Sequence, residues 1–143
     1  MEKFYKRFKN FKNCLETLNE SKTRKNYETD KLVLSGIIHH FCLVFDLSWK
    51  VVKDIATEYY GFTDFNLGSP RGSLEIGFQL NLIEDGNVWF KLLKLRNELS
   101  YNYDSTLAID SCNEILFQYA DVFNDLKDRI ENLIKEIEIK NNI

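Results

Sequence analysis

The sequence predicts an all-α protein, an up-and-down antiparallel helical bundle made of a four-helix core plus one extra helix. Three observations carry this. Apolar residues recur at three- and four-residue steps along most of the chain, the signature of amphipathic helices. Breakers are scarce, with one proline and six glycines, which favours long helices over many short strands. Strand-like alternation of apolar and polar residues is absent. The 143 residues, 44% hydrophobic and 14% aromatic, can close one core without disulfides or metal, so residues 1–143 read as a single domain.

Phe4, Phe8, Phe11, Leu15 and Leu18 form one stripe and predict a first helix over residues 2–20, followed by a polar loop around 20–26. A longer helix is expected from about Asp30 to Tyr60, stopped by Gly61. Ile37, Phe41, Val44, Ser48, Val51 and Ile55 line its apolar side. The reverse side carries His39, Cys42, Asp46, Lys50 and Lys53. Residues 61–68 read as a loop. Ser69-Pro70 reads as an N-cap with proline at the first helical position, starting a short helix to about Leu82. Gly77 inside that helix costs about 1 kcal/mol relative to alanine, which marks close approach of a neighbour. After a turn at 84–87, Trp89, Leu92, Leu93, Arg96 and Leu99 define a helix over 87–101. Asp104 or Ser105 is placed to cap the last helix. Its stripe runs from Cys112 to Ile137, making a rod about 50 Å long whose end is expected to project and pair with another chain.

Composition excludes several classes. No unbroken run reaches the 18 apolar residues of a membrane span, and the N-terminus interleaves charges with aromatics unlike a signal peptide. No membrane association and a cytoplasmic address are therefore expected. Cys14, Cys42 and Cys112 are odd in number and far apart, as expected of reduced core thiols. Net charge is only −3, but residues 1–25 carry eight Lys/Arg against three Glu, and residues 104–143 four against nine. Either these are solvated helix faces, or the basic first helix meets an acidic surface or RNA.

The most informative stretch is Leu95-Arg96-Asn97-Glu98-Leu99-Ser100-Tyr101-Asn102-Tyr103-Asp104. On a helix, Arg96 aligns with Leu92, Leu99 and Tyr103, so a permanent charge shares a largely apolar face. That is costly unless the charge is paired. Either an acidic residue such as Asp46 or Asp54 satisfies it, or the face receives an anionic ligand such as phosphate. His39, His40 and Cys42 lack zinc-site spacing, because consecutive histidines point to different helix faces. No glycine-rich phosphate loop is present. Neither a metal nor a cofactor is expected. Trp49 and Trp89 are expected as core anchors rather than a base-stacking pair.

Taken together, the motifs resemble the nucleotidyltransferase substrate-binding protein family, a branch of the HEPN superfamily. Asp46-Leu47-Ser48-Trp49-Lys50 with Lys53-Asp54 is similar to its E-L-A-W-K…K-D helix, and Ser69-Pro70-Arg71 to its S-P-R helix start. Leu82-Ile83, Trp89 and Arg96-Asn97 follow its G-L-I…W…R-N order, and Ser100 to Asp104 stands at its S-H-x-Y-D. The resemblance covers roughly residues 4–135.

It implies a HEPN-like bundle that pairs with a separately encoded minimal nucleotidyltransferase, as in toxin–antitoxin-type modules, and forms a homodimer with a nucleotide or RNA as ligand. The paired-aspartate motif of the transferase itself is missing here, so that chemistry belongs to another chain. By resemblance, the catalytic motif positions are Arg96, Asn97 and Tyr101; those for substrate binding or modification are Tyr103, Ser100, Asp46, Lys50, Lys53 and Arg71. In ribonuclease members an arginine and a histidine meet between protomers. Here Tyr101 stands where the histidine belongs, and a phenol with a reference pKa near about 10 is a poor general base at neutral pH. A non-catalytic substrate-binding or regulatory subunit is therefore expected. The alternative is a HEPN ribonuclease toxin with Tyr101 in place of the histidine. Tyr103 occupies the position at which related toxins accept AMP from the transferase.

Overall fold

The computed structural model describes residues 2–24, 26–101 and 105–142, with the backbone alone for residues 65, 101 and 105. Helix α1 (Glu2–Glu20) presents its phenylalanine and leucine stripe inward, with Phe4, Phe11 and Leu18 fully buried. A 3₁₀ turn (Ser21–Thr23) and a short loop reverse the chain into α2 (Lys31–Asp54), whose N-cap Asp30 accepts bonds from the amides of Leu32 and Val33. Helix α2 then continues through a π-helical turn (Ile55–Tyr59) and stops where Gly61 adopts φ +70°, a backbone conformation that a side chain disfavours.

Helix α3 (Pro70–Gln79) starts as expected, with the Ser69 hydroxyl accepting from the Gly72 amide at 3.1 Å. It ends earlier than the expected Leu82. Asn81 takes φ +62°, and the amides of Leu82 and Ile83 fold back onto the Gly77 carbonyl at 3.0 and 3.3 Å. Asparagine tolerates this left-handed cap, and the reversal tucks Leu82 and Ile83 into the core. Helix α4 (Gly86–Tyr101) follows. Helix α5 (Ser105–Glu114) is joined by a second π-helical turn (Ile115–Tyr119) to α6 (Ala120–Asn141), so the long last helix is one rod with a local change of pitch. Among the described residues there is no strand.

Helix α2 is the hub and touches every other helix. By length and composition Lys31–Tyr59 also qualifies as a membrane span, although no unbroken apolar run does. In the bundle, Phe41, Val44, Phe45, Val51 and Val52 are fully buried against its neighbours. Trp89 of α4 sits edge-on to Phe123 of α6 at 5.6 Å and tilted over Phe45 of α2 at 6.3 Å. Such pairs add roughly 0.5–1.5 kcal/mol beyond area burial. Trp89 is thus a core anchor, and Trp49 packs half-buried against the same core.

The expectation of a projecting last helix fails. Helix α6 runs antiparallel along α1, with Asn19 bonded to Asn124 and Lys12 facing Glu131. Ile130, Leu133 and Ile137 are buried within the single chain, and only Ile139 of that stripe's end is well exposed. The physical reason is length matching: α1 spans the same height and covers the apolar stripe.

Candidate functional site

Asp46 and Arg96 lie fifty residues apart and meet because α4 packs on α2. Arg96 Nε donates to Asp46 Oδ1 and Nη2 to Oδ2, both at 2.9 Å. The planar guanidinium fork matches the carboxylate at two points, the strongest form of such a pair. Arg96 Nη1 also contacts the Ser100 hydroxyl, which donates to the Arg96 carbonyl at 3.0 Å. Side-chain exposures of 27% and 32% put the pair at the bundle surface, half out of water. Of the two partners expected for Arg96, Asp46 is therefore the one found.

Asp54, the other candidate, is paired with Arg7 of α1 at 3.0 Å and is only 2% exposed. Arg7 also reaches the Lys50 carbonyl at 3.5 Å. Burial raises the Asp54 carboxyl above its ordinary range, against the opposing pull of Arg7 and then Lys3. Sequence reasoning missed this pair, because nothing in α1's periodicity says which basic residue crosses the end of α2. Cys42, one turn before Asp46, has its thiol pKa raised first by burial; Arg96 lowers it and Asp46 raises it further. Cys112 is pushed up to about 12 by burial alone, consistent with a packing thiol.

The remaining sequence candidates scatter. Asn97 and Ser100 are exposed on α4. Lys50 lies half-buried with its ammonium 5.7 Å from the Trp49 ring, and Lys53 is half-buried one turn further on. Arg71 lies on α3, 71% exposed, its guanidinium 4.9 Å from the Phe90 ring and 3.8 Å from Glu75. No contact between Arg71 and the Asp46–Arg96 pair is seen among the described residues. Helix α4 ends at Tyr101, whose side chain lies outside the described residues, as does all of Tyr103. His39 is exposed, and His40 Nδ1 pairs with the Gly36 carbonyl at 3.0 Å.

A second feature escaped the sequence altogether. A groove of about 650 Å³ opens between α3 and α4, with Leu74, Phe78 and Phe90 as apolar walls and Glu75, Glu84 and Asp85 at its rim. Its α3–α4 turn is held by Arg129 of α6, which bonds the Asn81 carbonyl at 3.0 Å and pairs with Glu84 at 3.3 Å. Among the described residues, no three His, Cys, Asp or Glu side chains group closely enough to hold a metal ion.

Comparison with known proteins follows the same lines. A family model described as "nucleotidyltransferase substrate binding protein like" matches residues 6–132. Among solved structures, the chain is similar to one in the crystal structure of a mutant toxin–antitoxin pair, MntA–HpeT. The TM-score is 0.75 at 16% identity, covering 92% of this chain and 99% of the other. At that identity the likeness establishes the fold. None of the curated proteins compared matches the chain.

Proposed function

Since this chain belongs to the nucleotidyltransferase substrate binding protein-like family, we propose that it is a substrate-binding or regulatory subunit that pairs with a separately encoded minimal nucleotidyltransferase. The observation that carries the proposal is the family match along residues 6–132. The similar solved chain comes from a toxin–antitoxin pair, which supports the same kind of two-component module here. The chain acts as one helical domain in the cytoplasm. As a homodimer, it presents the C-terminal end of α4 to its partner.

That end carries Arg96, Asn97, Ser100 and Tyr101, and Tyr103 follows two positions later in the sequence. In our reading Asp46 neutralises Arg96 and fixes the C-terminal part of α4 on α2, and Tyr103 is the hydroxyl offered to the transferase. Lys50, Lys53 and Arg71 add positive charge around the bundle. The bidentate Asp46 pair speaks against the ribonuclease alternative, since it occupies the fork that would grip the scissile phosphate.

The test is co-expression with the minimal nucleotidyltransferase encoded beside this gene, read by size-exclusion chromatography and calorimetry. Co-elution at a fixed stoichiometry is expected; separate elution refutes the proposal. RNA incubated with wild type and with Arg96→Ala is expected to stay intact in both. Cleavage by the wild type alone would install the ribonuclease in its place.

A further inference from the structure

The α3–α4 groove carries chemistry that the Arg96 region does not use. Its volume of about 650 Å³ falls within the range of small-molecule sites. Phe78 points into it at 57% exposure, an unusual position for a large apolar ring beside a concave surface. The rim is acidic. Glu84 and Asp85 also border an adjoining hollow between α4 and α6 that holds Asp121 and Asp125. Lys22 faces Asp121 at 3.7 Å, Arg129 serves Asp125 and Glu84, and Arg71 serves Glu75. Among the described residues, three cations pair with four of these five carboxylates, and Asp85 is left as the uncompensated charge.

Two details fix the sign of the preferred ligand. The N-terminus of α4 would attract an anion, but Asp85 already accepts the Asn87 amide there at 3.0 Å and places its own charge on the spot. The protein also shows how this surface holds a cation. The Arg71 guanidinium lies over the Phe90 ring at 4.9 Å with the Glu75 carboxylate 3.8 Å away. An aromatic face plus a carboxylate is a cation receptor, and Phe78 with Glu84 and Asp85 offers the same chemistry across the groove.

We propose that the α3–α4 groove binds a small organic cation, a guanidinium or ammonium carried on a flat apolar body. The body lies against Phe78, and the charge is met by Asp85 together with Glu84, which is shared with Arg129. This goes beyond pairing with a nucleotidyltransferase and holds for the isolated chain whether or not that pairing occurs.

The experiment is a nitrogen–proton NMR titration of the full chain with benzamidine, using benzoate as the anionic control of the same shape. Saturable shifts confined to residues 74–90 are expected with benzamidine and none with benzoate. The Asp85→Asn variant, which keeps the cap on the Asn87 amide, and, separately, Phe78→Ala should each weaken benzamidine at least tenfold. Both alter exposed side chains, so an unchanged spectrum outside the groove verifies folding. Equal response to benzoate, or shifts scattered over the bundle, overturns the proposal. Repeating the titration with the nucleotidyltransferase present distinguishes the source of the cation. Retained binding supports a free small molecule, whereas loss of binding on complex formation assigns the groove to a partner's basic side chain and overturns the small-molecule assignment.

Discussion

Replacing Asp46 with asparagine removes one charge from a pair held at two points while keeping the side chain's shape. Fully exposed pairs contribute about 0–1 kcal/mol, and breaking a fully buried one costs about 3–5 kcal/mol. Exposures of 27% and 32% place this pair between those limits, so Asp46→Asn should cost about 1–2 kcal/mol. For a domain near this size that corresponds to a fall in Tm of roughly 3–8 °C. Because the two side chains act on each other, Arg96→Ala and Asp46→Asn should be non-additive. A double-mutant cycle by urea unfolding is expected to show a coupling of about 1 kcal/mol. The same variant frees the Arg96 fork, so inorganic phosphate should perturb the Arg96 Nε signal in Asp46→Asn at concentrations that leave the wild type unchanged. Strict additivity, with coupling below about 0.3 kcal/mol, would refute the view that Asp46 is what holds Arg96. Equal phosphate response in both proteins would refute the view that it blocks the fork.

Three further expectations rest on other parts of the bundle. Burial raises the Asp54 carboxyl, so the folded state binds the proton more tightly than the unfolded chain. Its contribution is therefore present below the ordinary carboxylate pKa and is lost as pH rises through the raised one. Asp54→Asn should gain on the wild type as pH rises above the ordinary carboxylate pKa of about 4 in urea unfolding, and a trend of opposite sign would mean that the Arg7 pair dominates. Glycine substitutions should split by neighbourhood. Gly36→Ala meets open space and should gain up to about 1 kcal/mol of helix stability. Gly77→Ala would press 2.9 Å from Val52 and Ile83 and should lose about 1–2 kcal/mol net. Thermal unfolding of the two variants checks both. Truncation after Leu126 removes Ile130, Leu133 and Ile137 from the core at about 2–5 kcal/mol each. Loss of cooperative unfolding is expected in circular dichroism, rather than a well-folded monomer.

What the sequence alone determined was local. The stripe at Phe4, Phe8, Phe11, Leu15 and Leu18 set the buried face of α1, Ser69-Pro70 set the start of α3, and Gly61 set a stop, because helix periodicity and capping depend on residues within a few positions of one another. The ordered motifs from Asp46 to Arg96 were enough to place the family. Only the tertiary structure decided which carboxylate meets Arg96. Asp46 and Asp54 sit on the same helix, two turns apart, and periodicity ranks them equally. Packing of α1 across the end of α2 commits Asp54 to Arg7, while packing of α4 brings Arg96 to Asp46. The same holds for the early end of α3 and for the groove beside it. Pairings between residues distant in sequence follow from how buried faces cross, and a single helix's pattern does not contain the crossing.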